Sequence, residues 1–388
     1  MTLDIHARSV EPAPVTALEA LDYVRLARSR NVGPASFRRL LARFGTPAKA
    51  LEALPRLAAG GGLKNYRLCS EEDAALEVEA ALNVGAAMLA QGRAGYPAAL
   101  SHIPDAPPFI WARGRTELAA KSGVAVIGGR NASALGLRMA REMAHGLGDA
   151  GWVTVSGLAR GVDAAAHEGA LDAQAGTIAV VAGGVDIAYP PENADLMARI
   201  GEEGLILSEA PMGLHPQGRH FPRRNRIVSG LSRAVVVIEA AERSGSLITA
   251  SFALEQGREV MAVPGAPMDP RAAGGNALIR EGAPLVRGHE DVIEALEQGL
   301  RPARSVGTGR PDGMAEAAAL FRPRAGGADA ALRRDVAELL GLAPVEEDEL
   351  ARLTGADLAA LSDALLELEL AGRLDRRPGG MLALRPGD

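Results

Sequence analysis

A chain of 388 residues with 47% hydrophobic and 23% charged residues has the makeup of a globular protein, long enough for two or three domains. A single cysteine, Cys69, excludes an intramolecular disulfide and a cysteine metal cluster, and no apolar run reaches the length of a membrane span. The net charge of −6 excludes a protein coated in nucleic acid but not a local basic groove. Without a charged-then-apolar leader pattern, the expected location is the cytoplasm.

In chain order, residues 1–16 show no apolar periodicity and are expected to form a loose tail. Residues 17–92 read as a helical domain, with Leu21, Val24 and Leu26, then Phe37, Leu40, Leu41 and Phe44, at helical spacings. Asn31-Val-Gly-Pro34 is a tight turn with Pro suited to open the next helix, and Glu71–Ala90 is expected to be one more amphipathic helix. Such a turn resembles helix-hairpin-helix and sterile-alpha-motif modules, some of which grip the DNA backbone through turn amides. A plain interaction domain is the commoner use of a short helical hairpin.

Residues 93–298 begin with a proline-rich, extended lead-in from Tyr96 to Trp111. Six short apolar runs follow, at Val124–Ile127, Trp152–Val155, Thr177–Val181, Leu205–Leu207, Ala234–Ile238 and Glu259–Val263, with helix-like stretches between nearly all of them. Continuous apolar strands alternating with helices predict an α/β domain with a Rossmann-like, doubly wound, mostly parallel sheet. The Arg-, Pro- and Gly-rich residues 299–328 read as a linker. Residues 329–388 offer three helices and a hairpin around Pro378-Gly-Gly380, the plan of a winged helix.

Ligands of an open parallel sheet sit beyond the carboxyl ends of its strands. The loops there carry Gly128, Gly129 and Arg130; Ser156, Gly157, Arg160, Gly161 and Asp163; Gly183 and Asp186; and Ser244, Gly245 and Ser246. Glycines let backbone amides approach an anion, and a helix N-terminus adds its dipole. The spacing is neither a dinucleotide fingerprint nor a Walker loop. Between Ala210 and Ile238 there is no Asp or Glu, yet Arg219, Arg223, Arg224, Arg226 and Arg233 fall there beside Phe221 and Asn225. Guanidiniums around an aromatic ring suit a polyanion with flat bases, although a solvated Arg-rich loop would look the same. Asp163 and His167, at i and i+4, could form an acid/base pair, but that spacing more often marks a structural bond at a helix start. No carboxylate cluster suggests a metal and no loop asks for a cofactor.

These residues resemble the DNA-processing protein A family (DprA, also called Smf) over about 120–295, through Ser156-Gly-Leu-Ala-Arg-Gly-Val-Asp163 with Ala166-His167, Phe221-Pro-Arg-Arg-Asn-Arg-Ile227, and Ser244-Gly-Ser-Leu-Ile-Thr249. The flanks agree, since members carry a sterile-alpha-motif-like N-terminal domain and a C-terminal winged helix. The resemblance implies a non-catalytic binder of single-stranded DNA that protects incoming strands and loads the RecA recombinase in natural transformation, acting as a homodimer through the Rossmann-like domain. It also implies that Phe221 stacks a base, with Arg219 as the preceding charge. The family's first loop usually reads Gly-Ser/Thr-Arg, so Gly129 removes a hydroxyl contact while Arg130 is retained. The alternatives are a nucleotide-processing enzyme of the lysine-decarboxylase-like fold, whose Pro-Gly-Gly-x-Gly-Thr loop is missing here, and a ligand-responsive winged-helix regulator.

Charge on the winged helix bears on that last alternative. Its third predicted helix, Asp357–Ala371, holds Asp357, Asp363, Glu367 and Glu369 and no Lys or Arg. A helix that reads duplex DNA lies between phosphates, so this one is expected to serve as a protein-contact or regulatory module.

Overall fold

The computed structural model of the chain describes residues 13–63, 65–300, 330–340, 344–376 and 381–385. The predicted tail and linker lie almost wholly outside the described residues. Two compact units are present, one formed by Glu79–Arg301 with the described residues before 17, the other by Ala17–Val78 with the described residues after 301.

Chain order gives helices α1 (Ala17–Arg28), α2 (Pro34–Phe44), α3 (Pro47–Gly60) and α4 (Glu71–Asn83), strand β1 (Ala86–Ala90), the short α5 (Ala98–Ser101) and β2 (Phe109–Gly114). The alternating region runs β3 (Gly123–Ile127), α6 (Ala134–Asp149), β4 (Val153–Ser156), α7 (Val162–Leu171), β5 (Thr177–Val180), α8 (Ala194–Glu203) and β6 (Leu205–Ser208). It continues with α9 (His220–Gly230), β7 (Ser232–Val237), α10 (Ser246–Glu255), β8 (Glu259–Ala262), α11 (Ala273–Arg280) and α12 (His289–Leu300). Last come α13 (Ala330–Leu339), β9 (Val345–Glu346), α14 (Glu347–Thr354), α15 (Leu358–Leu370), β10 (Leu374–Arg376) and β11 (Met381–Leu384).

The large sheet has the order β1-β2-β6-β5-β4-β3-β7-β8. From β6 to β8 all pairings are parallel, while β2 lies antiparallel to β6 and β1 antiparallel to β2. All six predicted strands therefore form, in one doubly wound sheet. Side chains alternate between two cores, as the period of two demands. Val124, Val126, Ala234 and Val236 face α6, α7 and α12, while Ala125, Ile127, Val235 and Val237 face α9 and α10. Apolar burial on both faces is why these strands read as unbroken hydrophobic runs.

The sequence expectation fails at Ala86–Ala90, predicted as the end of a helix. The helix stops at Asn83, Gly85 turns the chain at φ +70°, and Ala-Ala-Met-Leu-Ala then pairs with Phe109–Arg113 as an edge strand. Nothing in that composition favours a strand; an open partner on β2 decides it.

In the other unit, Phe37, Leu40, Leu54 and Leu57 are buried among the N-terminal helices. Leu361, Leu365 and Leu368 of α15 join Val336, Leu350, Leu374 and Leu382 in the core of the winged helix, whose three strands run in the order β10-β11-β9.

One contact carries a test. Helices α6 and α7 pack backbone to backbone at Gly169, where a Cβ would lie 2.9 Å from the Arg141 Cα and closer still to its carbonyl oxygen. Because a main chain cannot step aside as a side chain can, Gly169→Ala should cost about 1–3 kcal/mol in urea unfolding. A variant as stable as the parent would show that the two helices separate freely.

Candidate nucleic-acid interface

The Arg-rich stretch is helix α9, with Phe221 and Pro222 in its first turn, where a missing proline N–H costs nothing. Depth follows position along the helix, which is buried from Arg224 to Gly230. Arg219 and Arg223 are exposed; Arg224, Asn225 and Arg226 are buried. The Arg226 guanidinium lies 2.6 Å from Glu209 and 3.2 Å from Asp105. Carboxylates absent from the stretch in sequence are thus supplied by its neighbours in space. Arg233, near the amino end of β7, lies away from the carboxyl edge. Of the five arginines that drew attention, only Arg219 and Arg223 are exposed at this edge.

Arg224 is a brace rather than an exposed phosphate ligand. Its Nη1 donates to the Val180 carbonyl at 2.6 Å and to the Gly157 carbonyl, and its Nε donates to Asn225 Oδ1 at 3.1 Å. Gly157 must be glycine for this, since a Cβ there would sit 2.5 Å from the Arg224 Cζ. Burial, reinforced by the Arg130 charge and opposed by Asp163, lowers the Arg224 pKa to about 10, so the side chain stays charged at neutral pH.

Asp163 also works inward. Its carboxylate accepts from the Gly157 and Ala159 amides at 3.1 and 3.3 Å, shaping the loop after β4. Burial pushes its pKa up, while the Arg224 charge and those amides pull it back. Ser156 is fully buried and donates to the Val126 carbonyl at 2.7 Å. His167 turns away from Asp163 and meets Thr177 Oγ1 at 2.7 Å through Nδ1. The Thr177 hydroxyl spends its proton on the Thr154 carbonyl, so Nδ1 carries the imidazole proton. Asp163 and His167 thus make separate structural bonds, in line with the structural reading of their spacing.

The first loop also departs from expectation. The Gly129 N–H donates to the Glu239 carbonyl, and the Glu239 carboxylate accepts from Ser133 N at 2.8 Å and Ser133 Oγ at 2.5 Å. Glu239 therefore caps α6 at the crevice between β3 and β7, where strand order reverses and dinucleotides usually bind. Gly128 is set by packing, since a Cβ would meet Val162 at 2.6 Å and the Glu239 oxygen at 2.8 Å. Gly161, at φ +78°, lies against the Arg130 and Gly129 carbonyls. These glycines let the loops approach one another closely, and the Gly129 amide is committed to Glu239.

What remains open lies beside α9. A cavity of about 700 Å³ is walled by Phe221, Tyr189 and Arg130, with Arg224 and Asn225 below and Ser244, Gly245 and Ser246 opposite. The Arg130 guanidinium lies 5.0 Å from the Phe221 ring centroid and Tyr189 stands 5.7 Å from it, tilted by 51°. Phe221, Tyr189, Arg130 and Arg224 also border a recess of about 40 Å³ toward Arg160 and Gly183. Arg160 is exposed and paired with Glu192, a surface contact that a stronger anion can displace. Gly245 has open space around it and Ser244 Oγ lies 2.7 Å from Ser246 Oγ, so the first turn of α10 is accessible. Tyr189 was not among the candidate site residues. Its signal was an aromatic on a carboxyl-edge loop in a chain with only 3% aromatics.

Comparison with known proteins agrees with this architecture. The family described as DNA recombination-mediator protein A matches residues 87–297. A DprA-like N-terminal HHH domain matches 17–80 and a DprA winged helix domain matches 322–380. DNA processing protein DprA of Bacillus subtilis is 44% identical over 52% of this chain and 69% of its own length. Protein Smf of Escherichia coli is 39% identical over 75% of each. Among solved structures, DprA of Streptococcus pneumoniae superposes with TM-score 0.59 at 35% identity, covering 72% of this chain and 98% of that one. DprA of Helicobacter pylori, described for its single-stranded DNA binding mode, gives TM-score 0.51 at 30% identity, covering 55% and 96%.

The buried imidazole yields a pH test. Burial, with the Arg224 charge, lowers the His167 pKa from 6.5 to about 3. The folded protein keeps it neutral while an unfolded chain protonates it. Its contribution to stability is complete above pH 6.5 and lost progressively as pH falls toward 3. Urea unfolding near neutral pH and in mild acid should show the parent losing up to about 1.4 kcal/mol per pH unit in that window. His167→Gln, which keeps a donor for Thr177, should lose markedly less. Equal losses in both would place the acid sensitivity elsewhere.

Proposed function

The chain belongs to the DNA recombination-mediator protein A family, and we propose that it binds single-stranded DNA without reading its sequence, using the cavity beside α9. The observation that carries this reading is the wall formed by Phe221, Tyr189 and Arg130, an aromatic surface with a cation already stacked on it. A flat base takes the place of the guanidinium on the Phe221 ring, and Arg130, released, meets the neighbouring phosphate. Arg219, Arg223 and Arg160 extend the positive track, and the Gly245 amide with the Ser244 and Ser246 hydroxyls at the start of α10 offers a further phosphate contact. Every base has a π-face and every nucleotide a phosphate, so such contacts confer affinity without sequence preference. Arg224, Asp163 and Ser156 hold the floor in place.

In this reading the protein shelters the strand and passes it to the RecA recombinase in natural transformation, working as a cytoplasmic homodimer. It breaks no bond. Asp163 and His167 being committed to other partners supports a binder over a nucleotide-processing enzyme.

Titrations with an unstructured oligonucleotide at several salt concentrations separate the roles. Arg130→Ala should weaken binding and lower the log–log salt slope by about 0.7. Phe221→Ala and Tyr189→Ala should each cost about 1–3 kcal/mol with little change of slope, because stacking releases no counterion. Arg224→Ala should lower the melting temperature along with affinity, as expected of a brace. Parent-like binding by the Arg130, Phe221 and Tyr189 variants would move the interface elsewhere.

Sedimentation of the full-length protein at micromolar concentration tests the homodimer. A dimer is expected, and a monomer throughout would remove that part of the reading.

A further inference from the structure

The last helix of the winged helix has two buried sides. Leu361, Ala364, Leu365 and Leu368 of α15 face its own module's core. Leu366 and Leu370 lie outside that cluster, yet they are 1% and 0% exposed. With Asp363 and Glu367 they make a stripe at i, i+3, i+4 and i+7, the spacing of a single helix face. Helix α15 packs against α2 and α3 of the N-terminal module.

Polar contacts match along this seam. Arg43 Nη1 donates to Asp363 Oδ1 at 2.8 Å, and Arg39 Nη2 donates to both Glu347 oxygens at 2.8 and 2.9 Å. At the end of α15, Asn31 Nδ2 donates to the Leu370 carbonyl at 2.9 Å. Asn31 opens the tight turn of the helical hairpin and holds the left-handed conformation at φ 59°. The main chains also close up. A Cβ on Gly61 would lie 2.8 Å from the Glu367 carbonyl carbon and 2.9 Å from Ala371 Cβ, and one on Gly60 would lie 2.9 Å from Arg333 Nη1. Glycine at 61 lets α3 end directly on the α15 main chain, and Gly60 leaves room for the Arg333–Glu367 pair.

The seam covers Asn31 in the turn and the Arg39 and Arg43 side of α2, side-chain donors of the kind a phosphate backbone accepts from, while the Val32 and Gly33 amides are used within the hairpin. Asp363 of α15 and Glu347 of α14 take the arginines that phosphates would, while Glu367 and Glu369 are held by Arg333 and Arg376 of their own module. We propose that α15 is an internal mimic of a nucleic-acid backbone. It docks in cis on the N-terminal helices and masks a duplex-backbone-binding surface centred on Asn31, Arg39 and Arg43. The winged helix is then an inhibitory module held by charge and by glycine-permitted contact. Opening it frees two guanidiniums and the hairpin turn for a duplex, read by its backbone and not its bases.

The full-length protein tests both halves. Spin labels at Glu52→Cys and Asp348→Cys, exposed positions on α3 and α14, in a Cys69→Ser background, should give a single narrow distance distribution that does not change with protein concentration. Gly61→Leu, a wedge that leaves every arginine in place, and Asp363→Arg, which removes one partner, should each broaden it. Asp363→Arg combined with Arg43→Glu should narrow it again. A random-sequence 20-base-pair duplex should bind Gly61→Leu at least about fivefold more tightly than the parent at low salt, with the slope steeper by about 0.9 for each arginine freed. A broad distribution in the parent, or one that depends on concentration, overturns docking in cis. Opened variants with parent-like duplex affinity overturn the masking. Single-strand binding through the Phe221 cavity can fail or hold without deciding either result.

Discussion

A buried guanidinium holds the carboxyl edge of the sheet together. Arg224 is 7% exposed, and its bonds to the Gly157 and Val180 carbonyls tie the loops after β4 and β5 to helix α9. Removing a charge from water costs several kcal/mol unless its donors are satisfied, so those carbonyls must stay where the guanidinium needs them. Gly157 is glycine because Arg224 passes where its Cβ would be, and Asp163 is a carboxylate because the loop amides and the nearby charge require one. The loop after β4 therefore also houses one arginine. Phe221, three residues earlier on the same helix, is held at the mouth by the same brace.

Where the ligand can go follows from what is already filled. In a doubly wound sheet the crevice at the reversal of strand order is the usual nucleotide site, but here Glu239 occupies it and caps α6. Opening is displaced to the flank beside α9, where an aromatic wall replaces the glycine turn. A backbone-amide crevice suits a pyrophosphate; an aromatic wall with exposed arginines suits a strand of stacked bases. Exposed charge stays small in number, which fits an overall acidic protein that binds a polyanion locally.

The smaller unit uses the same chemistry with the signs reversed. Carboxylates on α14 and α15 sit against arginines of α2, and glycines at the end of α3 permit the approach. Partly buried ion pairs of this kind contribute modestly to stability but strongly disfavour a mismatched partner.

Much of the fold was legible in the chain. Six unbroken apolar runs named the central strands because burial on both faces leaves no polar alternation to confuse them, and the acidic α15 declared itself through composition alone. Residue types likewise pointed to one edge of the sheet, since Phe221, Arg130 and the serine and glycine loops all follow strand ends. Depth was not legible. Five arginines in one stretch look alike in sequence, and only the burial of α9 from Arg224 onward, with Asp105, Glu209 and Val180 beside it, leaves three of them exposed and two buried. The Ala86–Ala90 strand, the Glu239 plug and the pairing of Tyr189 with Phe221 were hidden for the same reason. Each depends on a partner far away in the chain, and local propensity carries no information about a neighbour that only the folded sheet brings near.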